Sequence, residues 1–222
     1  MINSQFENKL SLLLILLIYE KVMKNIFFST TIIILLITFS SSVKAEESLS
    51  LGVDFGYGFF DIGADETAQS IANTAGSTVT YESDTGSWMG RIYTDLEIAN
   101  SLYIDIGYFL TGSIDAKYTL SGVTVTEGYS ANGVEASLVY KEGDKEGFFL
   151  KGGVHSSTVD GNASITISGT TYAANAAASG TGFLFGGGFD FSDGTRVGYT
   201  YYSDLGGLSK ADLGFIYYGY RF

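Results

Sequence analysis

The sequence predicts an all-β protein, an eight-stranded antiparallel up-and-down transmembrane β-barrel. Three observations predict it. The chain ends on Ile216, Tyr218, Tyr220 and Phe222, apolar or aromatic residues at a strict spacing of two, which is one face of a β-strand. A water-soluble sheet seldom leaves such a strand at its edge, where it would recruit other chains. In a closed barrel the edge is paired and the face meets hydrocarbon. Composition agrees: aromatic residues make up 15% of the chain and charged residues 16%, with Gly 29 and Pro 0, whereas soluble domains average about 25% charged. Finally, segments of alternating polarity are joined by short turns and long links in turn, as in membrane barrels.

Along the chain, residues 1–22 carry an apolar run from Leu10 to Ile18, too short for the ~20 residues a helix needs to cross a bilayer. They are expected to be an extension ahead of a true start at Met23. Residues 23–45 hold the three parts of a secretory signal peptide: Lys24, the apolar run Ile26 to Phe39, and small residues ending in Ala45. Cleavage is expected after Ala45, leaving 46–222 as the barrel. A single anchor from Leu10 to Phe39 would be interrupted by Glu20, Lys21, Lys24 and Asn25.

The first strand runs from Leu49 to Phe59, with Leu49, Leu51, Val53, Phe55, Tyr57 and Phe59 on the lipid side and Asp54 among small residues on the other. The second, Trp88 to Ile98, turns Trp88, Ile92, Leu96 and Ile98 out and Arg91, Tyr93, Asp95 and Glu97 in. After Asn100-Ser101 the third sends Leu102, Ile104, Ile106, Tyr108 and Leu110 out, with Asp105 and Gly107 in. The fourth alternates Val134, Ala136, Leu138 and Tyr140 against Glu135, Ser137 and Val139. A turn near Gly143-Asp144 leads to the fifth, with Phe148, Leu150 and Val154 out and Lys151, Gly153 and His155 in. The sixth places Phe183, Phe185, Phe189 and Phe191 out and Gly186, Gly188 and Asp190 in. Ser192-Asp193-Gly194 starts the seventh, with Val197, Tyr199 and Tyr201 out and Arg196, Thr200 and Tyr202 in; the eighth closes at Phe222.

The turns near Asn100, Asp144 and Asp193 are tight, whereas links run from about Asp61 to Gly86, Gly112 to Ala131 and Thr158 to Thr181; Ser203 to Ser209 is a shorter link. Each long link holds a Gly/Ser turn between Thr-rich arms: Thr74 to Thr80, Thr119 to Thr126, and Thr166 to Tyr172. That pattern predicts three hairpins extending the barrel wall beyond the membrane.

Several function classes are excluded or disfavoured. With Cys 0 there is no disulfide or thiolate site, and with His 1 no histidine metal cluster, so no cofactor is expected. The net charge of −12 argues against nucleic acid as a partner, which needs a basic surface.

The eight segments, their inward charges and Gly-rich inner faces, and the ending Tyr220-Arg221-Phe222 resemble the OmpA-like and opacity-type surface-antigen barrels of bacterial outer membranes over Leu49 to Phe222. The resemblance implies an exported protein of the outer membrane, with lipid and lipopolysaccharide around it, a structural and surface-exposed role, and a host or phage surface ligand at its loops. It also implies that Ile216, Tyr218, Tyr220 and Phe222 are the signal read by the barrel-assembly machinery. The periplasmic peptidoglycan-binding domain that family members often carry has no counterpart in these segments.

Two readings of the inward face remain. Asp54, Arg91, Asp95, Asp105, Glu135, Lys151, His155, Asp190 and Arg196 form an interior polar network in this register. Buried charges persist only when paired or hydrated, so they either interlock as a plug, which a narrow barrel favours, or line a small pore. Asp190 and Arg196 flank Ser192-Asp193-Gly194 symmetrically, and a three-residue hairpin loop would set them opposite each other. His155 and Ser157 have the spacing of the catalytic pair in outer-membrane lipid A deacylases, but Thr158 replaces the Asn typical there and no orienting acid follows. The expectation is therefore a protein that is not an enzyme, with His155 facing Glu135. Trp88, Tyr140, Tyr201, Tyr218 and Tyr220 are candidates for interfacial girdles.

Overall fold

The computed structural model describes residues 49–75, 78–120, 123–143, 146–167 and 170–222. The expected extension and signal peptide (1–45), the loop tips 76–77, 121–122 and 168–169, and turn residues 144–145 lie outside them. The strands are β1 (Leu49–Asp61), β2 (Thr80–Ser83), β3 (Gly86–Ala99), β4 (Leu102–Thr111), β5 (Ile114–Leu120), β6 (Val123–Lys141), β7 (Gly147–Ile167), β8 (Thr170–Asp190), β9 (Thr195–Tyr202) and β10 (Asp212–Arg221). One helix, α1 (Ala64–Ala75), follows β1.

Eight of the ten strands form a ring in the order β6, β4, β3, β1, β10, β9, β8, β7, closed by β7 pairing with β6. Every neighbouring pair in the ring is antiparallel. The terminal strands meet, with Val53 opposite Tyr220 and Phe222 N–H donating to Leu51 O at 2.8 Å. The chain is thus an eight-stranded antiparallel transmembrane up-and-down β-barrel.

Most of the predicted outward residues are exposed (Leu51 58%, Phe55 64%, Leu138 54%, Leu150 66% and Phe183 69%), while Leu96, Leu102, Ile104, Ile106, Phe189 and Tyr201 are half-buried. Such a belt of aliphatic and aromatic side chains is stable against hydrocarbon, not water. The belt has a sharp upper limit. On β6 the outward series Tyr140, Leu138, Ala136, Val134 gives way to Asn132 and Ser130; on β7, Val154 gives way to Ser156, Thr158, Asp160 and Asn162; on β8, Phe183 gives way to Thr181 and Ser179. The register aligns these switches, with Val134 opposite Ser156 and Ser156 opposite Thr181. Above this line β6, β7 and β8 continue as a wall, with β7 and β8 paired without a break to Ile167 and Thr170.

The second and third long links are therefore hairpins, as expected: β5 pairs with the upper part of β6, and β7 with β8. The first is not. Where alternating arms are predicted, Ala64–Ala75 is helical and β2 pairs across to β5, with Thr80 opposite Thr119. Alanine recurs at Ala64, Ala68 and Ala72, and this helix-favouring composition outweighs the threonines at the segment's end. Ala68 packs on Ala116 and Tyr118 of β5, with Ile62 and Val79 alongside, so the helix covers an apolar face of the wall.

A lipid-facing position and a wall position on the same outward side separate the two environments. Leu138→Arg is expected to cost about 2–4 kcal/mol, the depth-dependent penalty of a cation near the bilayer middle. Asn162→Arg, beyond the switch, is expected to change stability by less than about 0.5 kcal/mol, as exposed substitutions do. Urea unfolding of both variants in lipid vesicles measures the difference; equal costs would mean that the apolar-to-polar switch is not a membrane boundary.

Candidate functional site

The inner faces of the ring converge on a filled lumen. Side-chain alternation sends Asp54, Arg91, Asp95, Asp105, Glu135, Lys151, His155, Asp190 and Arg196 inward, and all are buried. All but His155 fall into two knots.

The first is centred on Arg91 of β3. Its register partner on β1 is Asp54, and Nη1 donates to Asp54 Oδ2 at 2.8 Å. Its Nε donates to Glu135 Oε1 of β6 at 2.7 Å, and Nη2 reaches Asp105 of β4. Glu135 is shared: Lys151 Nζ donates to Oε1 at 3.3 Å and Tyr202 O–H to Oε2 at 2.6 Å. Gly107 leaves the guanidinium room, since a Cβ there would lie 3.1 Å from Arg91 Nε.

The second knot lies toward the short turns. Lys141 Nζ donates to Asp95 Oδ2 at 2.6 Å and stands 3.7 Å from Asp190. Asp190 and Arg196 are opposite each other across the hairpin, with Nε 3.3 Å from Oδ1 but without hydrogen-bond alignment. Arg221 Nη1 lies 3.3 Å from the other Asp190 oxygen. The Arg196 guanidinium rests over Phe149 at 4.2 Å and Tyr93 at 4.9 Å. The hairpin geometry matches its sequence. Gly194 has φ +88°, which a side chain would strain, and Phe191 N–H donates to Thr195 O at 2.8 Å. The Asp193 carboxylate accepts from Thr195 O–H at 2.6 Å and Thr195 N–H at 2.9 Å, which holds it below the usual carboxylate range.

Across both knots, Asp54, Asp95, Asp105, Glu135 and Asp190 face Arg91, Lys141, Lys151, Arg196 and Arg221, so formal charge balances. Lys141, Tyr202 and Arg221 join the network without having been singled out in the sequence. The signal for Lys141 is its place as the next inward position after Val139.

Toward the protruding wall the filling changes from ionic to apolar. Met89, Phe109, Leu184, Leu213 and Phe215 are essentially inaccessible. The connection 203–211 folds over them instead of standing clear as a short loop. It carries a 3₁₀ turn, Leu205–Gly207, that buries Leu205, and Leu205 N–H donates to Ala211 O at 2.7 Å. Two lumenal side chains fasten this cap: Ser157 Oγ accepts from Gly206 N–H at 2.9 Å, and His155 Nε2 lies 2.8 Å from Ser203 O. The expected His155–Glu135 contact is thus replaced. The residues are register partners, but Glu135 is saturated by Arg91, Lys151 and Tyr202 while the imidazole reaches the cap. His155 and Ser157 are thus each engaged by the backbone of the cap. Among the described residues no cluster of His, Asp and Glu could hold a metal. The terminal series Ile216, Tyr218, Tyr220 and Phe222 is exposed, on the lipid side of β10 and just beyond it.

No family model matches the chain, and no curated relative matches it. Solved structures do. Ail, the attachment invasion locus protein of Yersinia pestis, in complex with the heparin analogue sucrose octasulfate, is 13% identical, with 79% of this chain and 99% of that chain covered and a TM-score of 0.48. Neisserial surface protein A is 16% identical, covering 79% and 98%, with a TM-score of 0.39. A Pseudomonas aeruginosa FadL homologue is 12% identical, covering 71% and 44%, with a TM-score of 0.36.

The two knots differ in how they tolerate loss of a cation. Arg91→Ala strands the buried carboxylates of Asp54 and Asp105, while Glu135 keeps Lys151 and Tyr202, and is expected to cost about 3–5 kcal/mol, the range for breaking a buried pair. Arg196→Ala is expected to cost less, because Lys141 and Arg221 remain near Asp190. Double-mutant cycles for Arg91/Glu135 and Arg196/Asp190, read by vesicle unfolding, should both be nonzero, with the first coupling larger. Zero coupling in both would mean that these charges do not stabilise the barrel.

Proposed function

We propose that this chain is an exported barrel of a bacterial outer membrane, not an enzyme and closed to solutes, with a structural and surface-exposed role. One observation carries the reading: the lumen is filled by two ionic knots whose charges balance when taken together, and by an apolar layer under the 203–211 cap. A barrel so filled offers its membrane a rigid body and offers the outside its wall of long strands. In this reading lipid and lipopolysaccharide surround the belt, the wall and loops meet a host or phage surface ligand, and nucleic acid is not a partner. Export relies on the signal at 23–45. The series Ile216, Tyr218, Tyr220, Phe222 is what the assembly machinery reads, a role consistent with its exposure and with Phe222 pairing onto β1.

A small pore is the competing reading. Lumenal atoms without a protein hydrogen-bond partner, such as Ser137 Oγ, His155 Nδ1 and Asp95 Oδ1, favour some water inside. Planar-bilayer recording decides between the two: a closed lumen gives no stable single-channel openings, and reproducible openings would overturn the plug.

Deleting Phe222 is expected to lower the amount of folded barrel in the outer membrane at least severalfold while export continues. The measurement is heat-modifiable migration on gels of the outer-membrane fraction. Wild-type levels of folded truncated protein would remove the assembly role from this residue.

A further inference from the structure

Strand β8 is paired on both sides only near the membrane. Strand β9 bonds to it from Asp190 to Leu184, and Ser203 N–H adds one bond to Phe183 O at 2.9 Å. Beyond that point the 205–207 turn lies against Ala178 and Gly180, and from Ala177 to Thr170 β7 is the one described strand paired with β8. The bonds near the membrane identify the atoms on the other side. Phe183 and Phe191 direct their backbone groups to the β9 side, and in an antiparallel ladder the two sides alternate residue by residue. Thr171, Ala173, Asn175 and Ala177 therefore present both N–H and C=O along an edge that no described strand covers. All positions from Thr170 to Ala177 are exposed.

Among the described residues, the edge from Thr171 to Ala177 carries none of the devices that block strand addition: charge, proline, a bulge or a covering strand. The chain has Pro 0, and no charged residue occurs from Gly161 to Phe189 in a molecule of net charge −12. The register with β7 is unbroken from Gly147 to Ile167, so no bulge interrupts the edge.

We propose that the β8 edge from Thr171 to Ala177 is a homotypic contact, pairing antiparallel with the same strand of a second copy. The charge distribution selects that occupant: two strongly acidic molecules can approach closely where neither carries an acid, and this stretch is such a place. The edge is also self-complementary. A two-fold axis perpendicular to the strand, through Ala174 or Asn175, matches N–H and C=O groups in antiparallel register and opposes Tyr172 to Ala176 or Ala178. The same axis directs the two barrels away from each other, so the contact joins copies in facing membranes. The proposal rests on the surface-exposed reading of the wall, and sedimentation of the isolated protein tests self-association independently of where the protein resides.

The full chain, refolded in detergent, is sedimented to obtain its protein mass. Wild type is expected to show a two-chain species. Ala173→Lys/Asn175→Lys and Ala173→Asp/Asn175→Asp are each expected to lose it, because like charges oppose in either symmetric register, and an equimolar mixture of the two is expected to restore it. Unchanged heat-modifiable migration certifies that each variant is folded. Independently of those variants, the chain has Cys 0, so Asn175→Cys supplies a single thiol. Cells displaying it with two different tags, mixed and treated with a short bismaleimide, should yield a mixed-tag dimer, and Asn162→Cys on the neighbouring strand should not. A wild type that stays monomeric, which would leave the edge to a strand from another protein or to none, overturns the proposal. So does a dimer indifferent to both charge pairs, or cross-linking that is equal at Asn162.

Discussion

In hydrocarbon every backbone N–H and C=O must find a partner within the protein, and the rest of this structure follows from that constraint. A sheet meets it only by closing, and here closure is made at the β6–β7 seam and where β1 meets β10. Eight strands close around a narrow lumen in which inward side chains from facing strands meet. Whatever points inward must then fill the space and satisfy itself there. Glycines at inner positions are one consequence, because large groups such as Tyr93 lie where a neighbour's Cβ would stand, as at Gly52.

The lumen meets the requirement in two ways at two levels. Near the short turns and in the middle of the barrel, acids and bases alternate so that Glu135 and Asp190 each serve more than one cation. Sharing matters, since an isolated buried charge costs several kcal/mol and paired charges recover that cost only with good geometry. Nearer the wall, aromatic and aliphatic residues take over, and the 203–211 connection closes the mouth with Leu205. His155 and Ser157 sit at the join. Their proximity to each other is a consequence of strand alternation, and their hydrogen bonds go to the cap.

Above the belt the lipid constraint disappears but the strands do not. Water can satisfy an unpaired edge, so β8 runs on with one side open, and β2 with β5 extends the other flank of the wall. Helix α1 covers part of the wall's apolar face, while the β8 end is left bare. The molecule therefore changes character within a single strand: the same β8 is lipid-facing at Phe183 and water-facing at Asn175.

The alternation of residues by itself determined which face each strand turns to lipid, because a period of two leaves no freedom once one face is apolar. Arg91, Asp95, Glu135 and Lys151 were legible as inward, and so was the Asp190–Arg196 pairing, fixed by the three-residue turn at Ser192-Asp193-Gly194. What alternation leaves open is which inward group meets which across the lumen. That depends on strand stagger and on competition, and Glu135 goes to Arg91, Lys151 and Tyr202 because they reach it, leaving His155 to Ser203. Where the helix at Ala64–Ala75 docks and how 203–211 folds inward were likewise decided by tertiary packing. Both lie where the lipid constraint ends, so local composition and contacts with Tyr118 or the lumenal apolar layer set their form, and no periodicity in the chain encodes those contacts.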